Sequence, residues 1–182
     1  MLTRTRHLIA VVAFAAAVAP RTAPAQATAP RPFTYSFHVG SAHPLGAMDS
    51  LVDANIHAAF DFTYRIGDRT PQKGFNAKLV AEINQFTAEP FVAFAHPRWT
   101  SLSVNLQAVT GCSATGLRCY IQAGPGIYWP KTGSSEMGFN VGVGFQVPVG
   151  APFALEFGAD WHQIQTKPAT KFYTWHLGVL FH

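Results

Sequence analysis

The stretch MGFNVGVGFQVPVGAPFALEFGADWHQ, residues 137–163, alternates large apolar residues with a second set made mostly of glycine and a few polar groups. Alternation with a period of two is typical of a β-strand whose two faces meet different environments. Two such runs are separated here by the turn-forming residues 148–151. The stretch therefore predicts a β-hairpin with one apolar face and one narrow, partly polar face.

The same alternation continues outside this stretch and gives eight strand-length segments between residue 33 and the C-terminus. Each segment is about ten residues long, the length that a tilted strand needs to cross a bilayer. The apolar positions of these segments carry no charged residue. We predict an all-β fold, an eight-stranded antiparallel up-and-down transmembrane β-barrel that occupies residues 33–182.

The N-terminal residues predict export. Two arginines precede an apolar run at residues 8–19, and AQA at residues 25–27 has the small-x-small spacing of a cleavage site. The run is shorter than the roughly 20 residues of a transmembrane helix. We expect a cleavable signal peptide at 1–27, a short leader at 28–32, and passage through the periplasm to the cell outer membrane.

Charge is sparse in this sequence. Charged residues make up 12% of the chain, against about 25% in an ordinary soluble domain. Three of the 13 basic residues lie in the signal segment, which leaves the rest close to neutral against 9 acidic residues. Because no run of Lys or Arg remains to contact phosphates, we expect no nucleic-acid partner.

The glycines decide which face meets lipid. A soluble, lipocalin-like barrel that binds a small apolar ligand is the alternative, with its apolar residues inside. Its outer face would need solubilising charge. Here the polar parity, meaning the strand positions that alternate with the apolar ones, is rich in glycine. Glycine weakens a strand unless a close approach requires it, as in a narrow lumen. The glycines of this parity are Gly40, Gly124, Gly126, Gly138, Gly142, Gly144, Gly158 and Gly178.

Aromatic residues near the strand ends also favour a membrane barrel, because such residues form girdles at the lipid–water interface. We expect the girdles to contain Tyr64, Trp99, Tyr128, Trp129, Trp161, Tyr173 and Trp175.

The last strand, FYTWHLGVLFH at residues 172–182, resembles the C-terminal assembly signal of bacterial outer-membrane barrels. YIQAGPGIYW, MGFNVGVGFQVPVG and ALEFGADWHQI resemble the last strands of the small outer-membrane barrel family related to OmpA and OmpX. The resemblance implies a monomer that contacts outer-membrane lipid and lipopolysaccharide and meets the outer-membrane assembly machinery through its last strand. The residues of that signal are Tyr173, Trp175, Leu177, Val179 and Phe181. The chain then ends on His182, where the family commonly ends on an aromatic residue.

Cys112 and Cys119 flank the turn CSATGLRC between the fourth and fifth segments. Facing positions on an antiparallel pair come close enough for a disulfide, and an exported chain meets an oxidising compartment. We predict a disulfide here, with a pair of free thiols as the alternative. The two cysteines do not have CxxC spacing, so the sequence does not indicate a thiol oxidoreductase.

Polar and titratable residues on the inward parity predict a network inside the lumen. Compensating ion pairs are the expected arrangement, and a selectivity filter is the alternative. An eight-stranded barrel is only wide enough to be filled by side chains, which disfavours a small gated pore. The expected lumen network contains Asp61, Lys78, Glu82, Glu156, Asp160 and His162.

Four inward histidines, His38, His57, His162 and His176, fall on strands that become neighbours once the barrel closes. Imidazoles beside carboxylates are zinc ligands in proteins, so these four are metal candidates. The favoured interpretation is a hydrogen-bonded inner network without a metal or other cofactor.

The function that follows is a non-enzymatic one, in envelope structure or surface interaction. A lipid A-modifying enzyme is an alternative and needs a nucleophile, a base and an acid in mutual reach near the outer rim. The surroundings of His162, DWHQIQ, offer no nearby serine. The apolar outer connection EPFVAFAHPRW, residues 89–99, is a candidate partner-binding patch.

Overall fold

The computed structural model describes residues 32–66, 73–88, 97–112, 116–150 and 152–181. The expected signal peptide, nearly all of the leader, residues 89–96 of the apolar connection, and His182 lie outside the described residues. The strands are β1 (Phe33–Leu45), β2 (Val52–Asp53), β3 (Asn55–Ile66), β4 (Lys73–Gln85), β5 (Thr87–Ala88), β6 (Arg98–Gly111), β7 (Arg118–Pro130), β8 (Glu136–Gly150), β9 (Phe153–Ile164) and β10 (Thr170–Phe181).

Eight of these strands close into a barrel in the order β1-β10-β9-β8-β7-β6-β4-β3. Every neighbouring pair is antiparallel, and the first and last strands close the barrel with Tyr35 opposite Phe181. The predicted eight-stranded up-and-down barrel is confirmed. Closure leaves none of these eight strands as an unpaired edge. No helix in the described part of the chain is long and apolar enough to cross a membrane.

The two faces of the barrel wall are opposite in character. In the hairpin of residues 137–163, Val141 and Val143 are 40% and 55% exposed, whereas Gly142 between them is buried and Asn140 is 1% exposed. The same division holds along the other barrel strands, where the exposed positions are mostly large and apolar and the buried ones mostly polar or glycine. The soluble-barrel alternative is therefore wrong, because it requires the apolar parity to lie inside.

The two ends of the barrel differ. Phe33, Phe181 and the C-terminal ends of β3, β6 and β8 lie at one end, which we call the terminal end; the C-terminal ends of β1, β4, β7 and β9 lie at the other, the loop end. At the loop end β1 continues to Leu45. Ala42 pairs there with both Asn55 and Thr174, so the ladder extends beyond the strictly alternating part of this strand.

The loop end of the lumen is closed by an apolar cap. Val52 in β2 pairs with Ala88 in β5, and this small sheet lies beside the cap. Tyr128 belongs to the cap and is fully buried, so its predicted place in an interface girdle is wrong. Its parity points inward, where its ring fills the lumen. The cap residues are Ala42, Val52, Phe86, Tyr128, Ile164 and Phe172.

A charge placed on the outer face should destabilise the barrel according to its depth. Val104 lies midway along β6, and Thr110 shares its face near the terminal end. We expect Val104→Arg to lower the free energy of unfolding by about 2–4 kcal/mol and Thr110→Arg by about 0–1 kcal/mol. Denaturant unfolding in lipid vesicles, followed by tryptophan fluorescence, measures both. Equal losses for the two variants would contradict a lipid-facing outer wall.

Candidate functional site

The interior of the barrel is built from side chains that occupy space above glycines on neighbouring strands. A Cβ on Gly178 would lie 1.8 Å from Cδ2 of His38. A Cβ on Gly142 would lie 1.7 Å from Oδ1 of Asp160. Such distances are far inside van der Waals contact, so these positions exclude any larger residue. The glycines of the inward parity are thus the counterparts of the bulky polar residues beside them.

Lys78 joins two carboxylates at the centre of the network. Its ammonium group forms ion pairs with Oδ2 of Asp61 and, at 3.3 Å, with Oε1 of Glu156. These residues lie on β4, β3 and β9 and are at most 2% exposed. The compensating ion pairs expected in the lumen are therefore present, although Lys78 does not pair with Glu82 of its own strand. A buried charge is tolerated when it is paired and hydrogen-bonded in this way.

Glu156 is the most heavily contacted carboxylate. The Tyr120 hydroxyl donates to its Oε1 at 3.1 Å. The Gln146 amide donates to its Oε2 at 2.7 Å. Both oxygens are thereby held in a fixed orientation by neighbours on β7 and β8.

A second carboxylate group surrounds Glu82, nearer the loop end. Its Oε2 accepts hydrogen bonds from Ser101 Oγ at 3.1 Å and Asn84 Nδ2 at 3.2 Å. Nε2 of His162 lies 3.9 Å from the same oxygen. Nδ1 of His57 lies 2.7 Å from Oδ1 of Asn84 and so joins this group.

Asp160 joins His176 to a ladder of amides. The Gln122 amide donates to its Oδ1 at 2.6 Å. Gln122 in turn accepts from Gln107, at 3.5 Å, and Gln107 accepts from Asn76 at 2.7 Å. The other oxygen of Asp160, Oδ2, lies 3.5 Å from Nδ1 of His176.

Three of the four metal-candidate histidines form a row. The ring centroids of His38 and His176 are 4.6 Å apart, and those of His176 and His57 are 5.7 Å apart. His162 lies apart from this row, with its ring stacked on Phe172 in the apolar cap at 4.5 Å. Alternation therefore predicted correctly that all four histidines face the lumen. It did not predict that His162 lies at a different depth from the row of three.

One set of metal-ligating atoms is compact. Among the described residues, one ligand atom each from His38, Glu156 and His176 lies within 4.8 Å of the other two. All three residues are buried. They lie on β1, β9 and β10, which are consecutive in the barrel.

Two further predictions concern the ends of the barrel. Cys112 and Cys119 are joined by a disulfide at the terminal end, with their Cα atoms 5.8 Å apart. The predicted assembly-signal residues lie on β10. Tyr173, Trp175, Leu177 and Val179 are exposed on its outer face, and Phe181 packs against Tyr35 at the seam. Their recognition by an assembly machinery stays a prediction.

Several network members were missed because the sequence interpretation considered charge and histidine first. The largest is Tyr120, which contacts Glu156, followed by the neutral side chains of Asn84, Ser101 and Gln122. All are on the inward parity, so their position on the strand was the available signal. Which of these neutral side chains contacts which carboxylate depends on strand register, which alternation alone does not define.

No protein-family model matches the chain, and no curated protein does. Solved structures do match it. Neisserial surface protein A is 12% identical with a TM-score of 0.60, covering 83% of this chain and 97% of that one. This chain has the fold of the small eight-stranded outer-membrane barrels. The resemblance to OmpA- and OmpX-like barrels expected from the strand sequences is confirmed at the level of fold.

Two other similar structures have different recorded properties. Ail of Yersinia pestis, solved with the heparin analogue sucrose octasulfate, is 18% identical with a TM-score of 0.53, covering 83% of this chain and 99% of that one. The outer-membrane enzyme PagL is 11% identical with a TM-score of 0.52, covering 82% of this chain and 99% of that one. The fold is thus shared by an enzyme and by proteins not named as enzymes.

Removing the ammonium group of Lys78 should destabilise the folded barrel. Lys78→Met leaves Asp61 and Glu156 without their shared cation, and breaking a buried pair in this way lowers the free energy of unfolding by about 3–5 kcal/mol. Lys131→Met, at an exposed loop-end position, is the matched control and should change it by no more than about 0.5 kcal/mol. Denaturant unfolding in the same vesicles gives both values. A loss for Lys78→Met as small as that of the control would contradict the central role of the ion pairs.

Proposed function

We propose that this chain is an integral barrel of the bacterial outer membrane with a non-enzymatic role in envelope structure or surface interaction. The observation that carries the proposal is the apolar outer wall around a polar, buried interior. A wall of this kind is far larger than the apolar patches that soluble monomers expose. In lipid the apolar side chains of the wall contact acyl chains. Closure of the barrel also pairs the backbone N–H and C=O groups of all eight strands, which lipid cannot hydrogen-bond.

The outer face near the loop end supports a place at a lipid–water interface. There the indole Nε1 of Trp175 donates to Nε2 of His43 at 3.1 Å. The His43 ring stacks on Tyr173 with centroids 4.8 Å apart. Amphipathic rings of this kind are enriched where hydrocarbon meets headgroups. The partners we propose there are outer-membrane lipid and lipopolysaccharide, with the terminal end in the periplasm.

The filled interior supports a structural role over a pore. The ion pairs of Lys78 and the hydrogen bonds of Glu82 and Asp160 bridge the lumen at successive depths. Above them the apolar cap closes the loop end. Solute passage would require both the polar network and the cap to rearrange.

The arrangement of serine, histidine and acid supports a non-enzymatic role over lipid A modification. A catalytic triad places histidine between the nucleophile and the acid. Here Glu82 lies between Ser101 and His162. All three are buried in the lumen, away from the outer wall where a lipid substrate would lie.

The loop end offers a supported platform for surface interaction. The β2–β5 sheet is attached to β3, since Asn55 Nδ2 donates to Thr87 Oγ1 at 2.8 Å. Val52 and Phe86 anchor the same region in the apolar cap. The β2–β5 sheet is held in place by these contacts and is thus pre-organised for a partner, which reduces the conformational entropy lost on binding.

Membrane fractionation with heat-modifiable gel migration tests the proposal. The full chain should fractionate with the outer membrane and migrate faster unheated than boiled, because the closed barrel resists detergent. A variant ending at residue 169, which lacks β10, is the matched control and should lose both properties. A soluble periplasmic full-length product would contradict the membrane location.

Two measurements on the same strain separate the alternatives. Mass spectrometry of lipid A should show unchanged acyl chains, and planar bilayers containing purified barrel should show no discrete conductance steps. Altered lipid A would overturn the non-enzymatic role, and regular channel steps would overturn the filled interior.

A further inference from the structure

Two ligand atoms in the compact set have the separation that a bound metal requires. Nε2 of His38 lies 3.4 Å from Oε1 of Glu156. Two ligands bound tetrahedrally to zinc at its usual bond lengths are about 3.4 Å apart. The His176 ring completes the set, with one ligand atom within 4.8 Å of each of the others.

Both histidines have a carboxylate at the opposite ring nitrogen. Nδ1 of His38 lies 3.2 Å from Oδ2 of Asp61. Nδ1 of His176 lies 3.5 Å from Oδ2 of Asp160, near it but without a hydrogen bond. In metal sites a carboxylate commonly accepts from the distal ring N–H, which fixes the tautomer and directs the other nitrogen to the metal.

Nε2 of His176 and the Tyr120 hydroxyl border the same space in the lumen. A Cβ on Gly158 would lie 2.6 Å from Nε2 of His176 and 2.3 Å from the Tyr120 hydroxyl, which itself contacts Glu156. Nε2 of His38 and Nε2 of His176 are buried, and neither has a hydrogen-bond partner among the described residues. Other lumen atoms, such as Ser103 Oγ and Thr174 Oγ1, also have no partner; the two histidine nitrogens differ from them in belonging to a compact set with a buried carboxylate.

The local charge also favours a cation. Asp61, Glu156 and Asp160 surround the two histidines, and Glu82 is buried further along the lumen. Among the described lysines and arginines, Lys78 alone is fully buried, whereas Arg65 and Arg118 are part-buried toward the terminal end. A divalent ion would offset part of the negative charge that remains. Lys78 would keep its ion pair with Asp61, while Oε1 of Glu156, which already lies 3.4 Å from Nε2 of His38, would bind the metal without changing its orientation.

We propose that His38, His176 and Glu156 bind one divalent transition-metal ion of the zinc class inside the barrel. Two imidazoles and a carboxylate are a known zinc ligand set, and the Tyr120 hydroxyl borders the fourth position. The site joins β1 to β10 and β9, so the ion ties together the first and last strands where the barrel closes. Metal binding of this kind stabilises the folded state, because the unfolded chain lacks the site.

Refolding with zinc tests the site. Tag-free chain is refolded in detergent with zinc sulfate or with a chelator, dialysed, and its bound zinc measured by atomic emission. We expect one zinc per barrel and a higher denaturant midpoint than for the chelator sample. His38→Gln, His176→Gln and Glu156→Gln should each lower zinc affinity at least tenfold. His162→Gln, at a buried histidine outside the set, is the matched control and should retain one zinc.

X-ray absorption of zinc-loaded wild-type barrel gives an answer even where a variant fails to fold. The proposal expects two imidazole ligands in the first shell. Less than a fifth of an equivalent retained by wild type, equal retention by the folded ligand variants, or an all-oxygen shell would each overturn it. Because the site is internal, these outcomes leave the proposed outer-membrane role unaffected.

Discussion

The structure depends on placing charge inside a narrow barrel whose outer wall is apolar. Lys78, Asp61 and Glu156 come from three different strands and meet where water is excluded. Each would be strongly unfavourable alone, because an unpaired buried ion loses its hydration without compensation. The network thus requires the closed register of the strands.

Glycine and bulk are matched across the same wall. Gly178 leaves room for His38, and Gly142 leaves room for Asp160. In a water-facing sheet these glycines would weaken the strands, and no closely packed side chain would compensate for the lost stability. Inside eight strands they allow polar rings and carboxylates to approach the opposite wall, so the lumen is filled by side chains. The apolar cap completes the filling at the loop end with Tyr128, Phe86 and Phe172.

The alternation seen in residues 137–163 recurs along residues 33–182, and together these segments were sufficient to predict the strands, their two faces and the closed barrel. With a period of two, a strand that turns one face to lipid must turn the alternate residues inward. Alternation placed Lys78, Asp61 and Glu156 on the inward face but did not define which of these side chains pair. Lys78 reaches Glu156 across the lumen, at a sequence separation of 78, which only the barrel's register brings together. For the same reason parity grouped His162 with His38 and His176, whereas depth separates them. The loop-end part of β1 cannot be predicted from alternation, because its residues do not alternate strictly.

The orientation of the wall is the central claim, and nuclear magnetic resonance in lipid nanodiscs tests it most directly. Leu79 and Val80 are adjacent on β4, one exposed at 42% and the other buried at 4%. Methyl groups of Leu79 should show cross-relaxation with lipid acyl chains, and those of Val80 should show none. Lipid contacts at Val80, or their absence at Leu79, would contradict a polar lumen enclosed by a lipid-facing wall.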